Sequence, residues 1–254
     1  VVQAACLHVP AAPRKGEVVM PEHEIITRRY LPHWYVPGAA VFVTYRLYGT
    51  LPREVLDELR RQRESLLSQK PPAGITAAQQ GARIHKQLFA SYDARLDRGG
   101  EISHLADPRV AAVVRSNLYH HHGSKYHLLA YCVMSNHVHV LLVPREIPQI
   151  APNQSTDLPA GEQPDETSPL GKIMHSLKSY TAHEANKILG RTGPFWQSES
   201  YDHWVRDDDE LERIVDYIAA NPVNAGLVRQ PQDWFFCSCH DRFLTDGRAL
   251  GWLC

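Results

Sequence analysis

Alternation and helical spacing of apolar residues divide the chain into a short series of elements. In "AAVFVTYRL" (39–47) size and polarity alternate between Pro37-Gly38 and Gly49, which predicts a strand. Residues 53–69 place Val55, Leu56, Leu59, Leu66 and Leu67 on one side of a helix. A breaker-rich stretch, "KPPAGITAAQQG", leads into helical spacing over 82–96 whose partner the pattern does not name. Asp107-Pro108 is a helix start, and the following pattern runs to a stop at Gly123. "YCVMSNHVHVLLVP" (131–144) then reads as two strands folded about Ser135-Asn136, which makes them antiparallel neighbours. Further helices are predicted over 170–189, ending at Gly190, and over "DDDELERIVDYIAAN", with Pro222 just past its end. Between them "GPFWQSESYDHWV" is an aromatic-rich loop or short strand. This order suits an α+β domain, with helices on one face of a small antiparallel sheet.

Within that pattern two residues break the rule. In a strand, His137 and His139 point to one side while Val138, Val140 and Leu142 point to the other. Cβ atoms two residues apart lie ~6.5–7 Å from each other. From there two imidazoles can converge on one ion at metal–nitrogen distances of about 2.0–2.1 Å. His-x-His alone is a weak signal, since two histidines need a third ligand and a group to activate. Two helices offer such a pair at a spacing of four: Tyr217 with Asn221, beside the stripe of Leu211, Ile214, Val215 and Ile218, and Tyr180 with Glu184, beside Ile173, Leu177, Thr181 and Ile188. Spacing ranks neither pair above the other.

Composition narrows the setting. The chain has 254 residues, 43% of them apolar, and no apolar run long enough to span a bilayer. Its first twenty residues lack the order of a secretory signal. The five cysteines are scattered with no CxxC pair, which points to a reduced, cytoplasmic protein with Cys237 and Cys239 as plain thiols. A net charge of −1 argues against coating nucleic acid through bulk charge, though a local basic groove is compatible with it. The run His120-His121-His122 cannot converge on a metal, because neighbours on a helix diverge by about 100°.

"MSNHVHVLLVP" resembles the HUH motif (His, bulky apolar, His) of single-strand-specific tyrosine transposases. "RYLPHW", "VFVTYRL", "GPFWQSESYDHWVRDDDEL" and "YIAANPVNAGLV" resemble, in that order, the REP-associated tyrosine transposases. The resemblance covers roughly 28–51, 107–144 and 168–236. It implies a ferredoxin-like antiparallel sheet with the HUH motif on a central strand. It makes Tyr217 the nucleophile and Asn221 the third metal ligand beside His137 and His139, with Tyr180 and Glu184 in reserve. It implies Mg²⁺ or Mn²⁺ as cofactor, and single-stranded DNA with hairpins as partner, cut and rejoined through a 5′-phosphotyrosine. Arg46, Lys178, Arg206 and Arg229 are candidate phosphate contacts, and Trp196, Tyr201 and Trp204 candidate platforms for unpaired bases. The implied organisation is a tail over 1–27, a transposase domain over 28–236 with insertions at 70–106 and 145–169, and an extension over 237–254. Monomer and dimer both remain open, and no membrane association is expected. The rivals are a non-catalytic binder of structured single-stranded nucleic acid and a zinc hydrolase built on His137 and His139.

Overall fold

A computed structural model of the chain describes residues 25–28, 32–35, 38–145 (apart from 71, 73 and 99) and 168–244. Most of the 1–27 tail, residues 146–167 of the connector and residues 245–254 of the extension therefore lie outside the described residues. Strands β1 (Ile25–Arg28) and β2 (Pro32–Tyr35) form an antiparallel pair. The main sheet is built from β3 (Val41–Arg46), β4 (Tyr126–Val133), β5 (His137–Pro144) and β6 (Tyr201–Trp204), in the order β4-β5-β3-β6. Every neighbouring pair in it is antiparallel.

Local chemistry sets the helices. Helix α1 (Arg53–Ser68) is followed by α2 (Ala77–Asp97), whose start is a reciprocal capping box between Thr76 and Gln79. Helix α3 (Pro108–His121) is capped by Asp107, which accepts from the Arg109 amide, and α4 (Pro169–Leu189) by Ser168. Gly190 closes α4 at φ 61°, a conformation that favours glycine. Helix α5 (Asp208–Asn224) begins at Asp207 with three acidic residues in its first turn, where the helix dipole stabilises them. It runs two residues beyond Pro222, which the sequence pattern placed outside it. Proline lacks the N–H that would bond the preceding turn, yet the Ala225 amide still bonds Asn221 O at 3.0 Å, so the last turn stays closed. A short α6 (Ser238–Leu244) follows.

Chain order β3-α3-β4-β5-α4-β6 with this strand order is a βαββαβ core, and the histidine strand β5 is central, as expected. The α+β class holds, but the helices are not confined to one face. Helices α3 and α4 bury Val110, Val114, Leu118, Ile173 and Leu177 against Val41, Val43, Val138, Val140 and Leu142. On the opposite face α2 and α5 bring Tyr92, Leu96 and Ile218 against Phe42, Ala130, Cys132 and Leu141. The second cover exists because that face also carries apolar residues that water would otherwise meet, at a cost of roughly 1.5–3 kcal/mol for each large side chain left exposed.

One irregularity in β4 keeps the faces distinct. Strand β4 starts at Tyr126, five residues before the predicted stretch, and its register with β5 shifts between Leu128 and Ala130. The extra residue reverses the alternation, so Tyr126, Leu128, Tyr131 and Val133 all reach the α3/α4 core. Residues read as the start of a C-terminal extension close on the same unit. Asp241 accepts from Arg115, Tyr119 and Tyr131, and the Ser238 hydroxyl accepts from the Tyr131 amide at 3.2 Å. Among the described residues no helix is long and apolar enough to cross a membrane.

Candidate metal and nucleophile site

His137 and His139 leave β5 toward the α2/α5 side, and their Nε2 atoms lie 3.0 Å apart. Each ring is held from behind. His137 Nδ1 lies 2.6 Å from Asn136 Oδ1, while the Asn136 amide nitrogen donates to Leu96 O at 3.0 Å. With its nitrogen committed to Leu96, Asn136 offers only an oxygen, so His137 Nδ1 carries the proton and Nε2 a lone pair. His139 Nδ1 lies 2.8 Å from Thr44 Oγ1, on the residue paired with it in β3.

Helix α5 adds the phenol and the carboxamide. Asn221 Nδ2 lies 3.1 Å from His139 Nε2, and the Tyr217 ring meets that of His139 edge-on with centroids 5.5 Å apart. The spacing of four puts both on one flank of the helix. Tyr217 is partly buried, whereas Asn221, His137 and His139 are fully so. Helix α2 brings a group that the sequence reading missed. Asp93 Oδ2 accepts from the Tyr217 hydroxyl, and Asp93 Oδ1 lies 3.4 Å from His139 Nε2.

Burial dominates the electrostatics. It lowers the His139 pKa to about 3 and that of His137 well below its usual value, the latter with help from His139, so both rings are neutral near pH 7. It pushes the Asp93 carboxyl up to about 6 against a lowering contribution from the Tyr217 hydrogen bond. Asp97, one turn on, is also pushed up to about 6, by burial and then by Asp93. The Tyr217 phenol is raised by burial first and by Asp93 next.

The cluster is short of positive charge. Asp93 Oδ1 and Asn221 Oδ1 are buried with no hydrogen-bond partner, and the two Nε2 atoms face each other with at most one proton between them. A 3.0 Å separation is close to that of two adjacent ligands, each about 2.1 Å from one ion. Asp93, His137 and His139 thus form a buried group that could hold a metal ion, their donor atoms all within 4.8 Å of one another. A cation would satisfy the orphaned oxygens and, with the Asn221 amide turned to present Oδ1 in place of Nδ2, both ring lone pairs, so the residues present fit one.

Sequence comparison gives two curated relatives. One, from Haemophilus influenzae, is named "Putative REP-associated tyrosine transposase" and is 28% identical over 115 residues, 45% of this chain and 60% of its own length. The other, a REP-associated tyrosine transposase of Escherichia coli, is 40% identical over 45 residues, 18% of this chain and 27% of its own length. The chain is a relative of the REP-associated tyrosine transposases. The matches span less than two thirds of either relative's length, and no family model matches. Among solved structures, that of a REP-associated tyrosine transposase bound to a REP hairpin aligns over 90% of both chains at 17% identity, with a TM-score of 0.45.

The other residues singled out by transposase resemblance disperse. Tyr180 and Glu184 lie on α4, which packs on the far side of the sheet from the histidines. Tyr180 is largely exposed and Glu184 pairs with Lys187 at 3.4 Å, so this pair does not reach the site. Trp196 is core, its indole donating to Thr181 Oγ1 at 2.8 Å, and Tyr201 is buried against Phe89 and Tyr92. Neither ring face is open to a base. Arg46 is buried beside the site and donates to Thr50, and Lys178 is tied to the carbonyls of Gln197 and Ser198. Trp204 is partly exposed at the end of β6, and Arg206 and Arg229 are exposed. Asp93 had a legible signal, a carboxylate on the buried side of α2 amid Phe89, Tyr92 and Leu96.

Proposed function

We propose that the protein is a metal-dependent tyrosine transposase or endonuclease that cleaves and rejoins single-stranded DNA at hairpin-bearing sequences. The observation that carries this reading is the meeting of the Tyr217 phenol, the His137–His139 pair and Asn221 on one face of one sheet. The transposase names of both curated relatives support it.

In this reading Tyr217 Oη attacks a backbone phosphorus. The new Oη–P bond gives a 5′-phosphotyrosine as the phenol gives up its proton, the bond from phosphorus to the 3′-oxygen breaks, and that oxygen takes up a proton to leave as a 3′-hydroxyl. His137, His139 and Asn221 would hold the divalent ion, Mg²⁺ or Mn²⁺, with imidazole ligation favouring Mn²⁺ of the two. Bound there, the ion supplies Lewis-acid polarisation of the phosphate and charge stabilisation of the departing oxygen. Thr44 and Asn136 keep both rings turned inward. Because one ester replaces another, a 3′-hydroxyl can reverse the step without ATP. Residues 28–236, with Ser238–Leu244 closed onto them, would make up the catalytic unit, and the exposed Arg206 and Arg229 would meet phosphates from its surface.

The test is incubation of a hairpin-bearing single strand with the protein and Mn²⁺. A covalent adduct that survives denaturant and is lost in Tyr217→Phe is expected. Binding without any adduct would instead identify a non-catalytic nucleic-acid binder, and hydrolysis with bound zinc but no adduct a zinc hydrolase.

A further inference from the structure

Helix α2 lies inside the 70–106 insertion, yet it forms one wall of the site. Its Leu96 carbonyl is held by the same Asn136 amide that orients His137. Phe89 packs edge-on against Phe42 and Tyr217, with centroids 5.3 and 5.7 Å away. These contacts fix the helix so that Asp93, itself almost fully buried, turns one oxygen to the Tyr217 hydroxyl and the other, unpartnered, to His139.

We propose that Asp93 is a fourth ligand of the divalent ion, binding through Oδ1 while Oδ2 positions the Tyr217 hydroxyl. The inference rests on the metal-site reading above and deepens it. An anionic, buried oxygen without a partner is costly unless a cation or a proton meets it. A carboxylate oxygen also makes a set of two imidazoles and an amide harder, which suits Mn²⁺ and Mg²⁺ better than nitrogen donors alone. One carboxylate shared in this way fixes the nucleophile relative to the ion, and makes the docking of α2 depend on metal.

The experiment is Mn²⁺ titration by calorimetry of wild-type protein, Asp93→Asn and His139→Ala, without DNA. Wild type is expected to bind, His139→Ala to lose binding, and Asp93→Asn to bind more than about tenfold more weakly. Unchanged affinity in Asp93→Asn, with binding lost in His139→Ala, would overturn the role of Asp93 and leave the metal-site reading standing. No Mn²⁺ binding by wild type would overturn both. Should Asp93→Asn fail to fold, hydrogen exchange on the wild type decides: Mn²⁺ should slow exchange of the α2 amides around Asp93, and unchanged exchange there would overturn the proposal.

Discussion

The two faces of the sheet are made by the same strands and covered by helices in the same way, yet they are built to different ends. On the α3/α4 side, β5 presents Val138, Val140 and Leu142, all fully buried among apolar neighbours. On the α2/α5 side the same strand presents His137, His139 and Leu141, and the cover brings Asp93, Tyr217 and Asn221 to the histidines. One face stabilises the fold through apolar burial. The other leaves buried oxygens unpaired and a carboxylate with a raised pKa, and so holds free energy in reserve for a ligand. A substitution should therefore separate stability from function according to the face it strikes.

The largest expected effect is on the apolar face. Leu142→Ala should cost roughly 2–5 kcal/mol in urea denaturation while leaving Mn²⁺ affinity of the folded protein unchanged. Loss of metal binding in folded Leu142→Ala would erase the contrast.

On the polar face Asp93→Asn should act in the opposite sense when metal is removed. The Asp93 pKa is raised by folding from 3.8 to about 6, so its contribution favours the native state at low pH and is lost as pH rises through about 6. His137 and His139 run the other way, since their lowered pKa values make stability fall as pH drops below 6.5. The difference between variant and wild type cancels the histidines. At about 1.4 kcal/mol per pH unit, Asp93→Asn should gain roughly 2.4 kcal/mol on wild type between about pH 4 and about pH 7 in chelator. A pH-independent difference would contradict this assignment of the charge.

Smaller effects sharpen the comparison. Thr44→Val removes the partner of His139 Nδ1 and should weaken Mn²⁺ binding about tenfold with little change in fold. Tyr180→Phe, on the exposed side of α4, should change neither stability nor covalent capture of DNA. Measurable loss in that variant would move chemistry to the apolar side.

Much of the α3/α4 side was legible in the sequence because it obeys simple periods: alternation in β3 and β5, helical spacing with Asp107-Pro108 at the start of α3 and Gly190 at the end of α4. That His137 and His139 share one face of β5 followed from parity alone. What parity could not supply was the partner across space. Tyr217 with Asn221 and Tyr180 with Glu184 share the same spacing beside an apolar stripe, and only the face of the sheet that each helix covers separates them. Trp196 and Tyr201 could be named only as candidate platforms, because local sequence does not reveal what lies above a ring. Asp93 lies in the 70–106 stretch that the transposase resemblance marks as an insertion, and its one signal is a carboxylate on the buried side of its helix.

The most direct measurement is peptide mapping of the covalent DNA adduct by mass spectrometry. The nucleotide phosphate is expected on the peptide containing Tyr217. Attachment at Tyr180, or at any residue on the α3/α4 side, would contradict it.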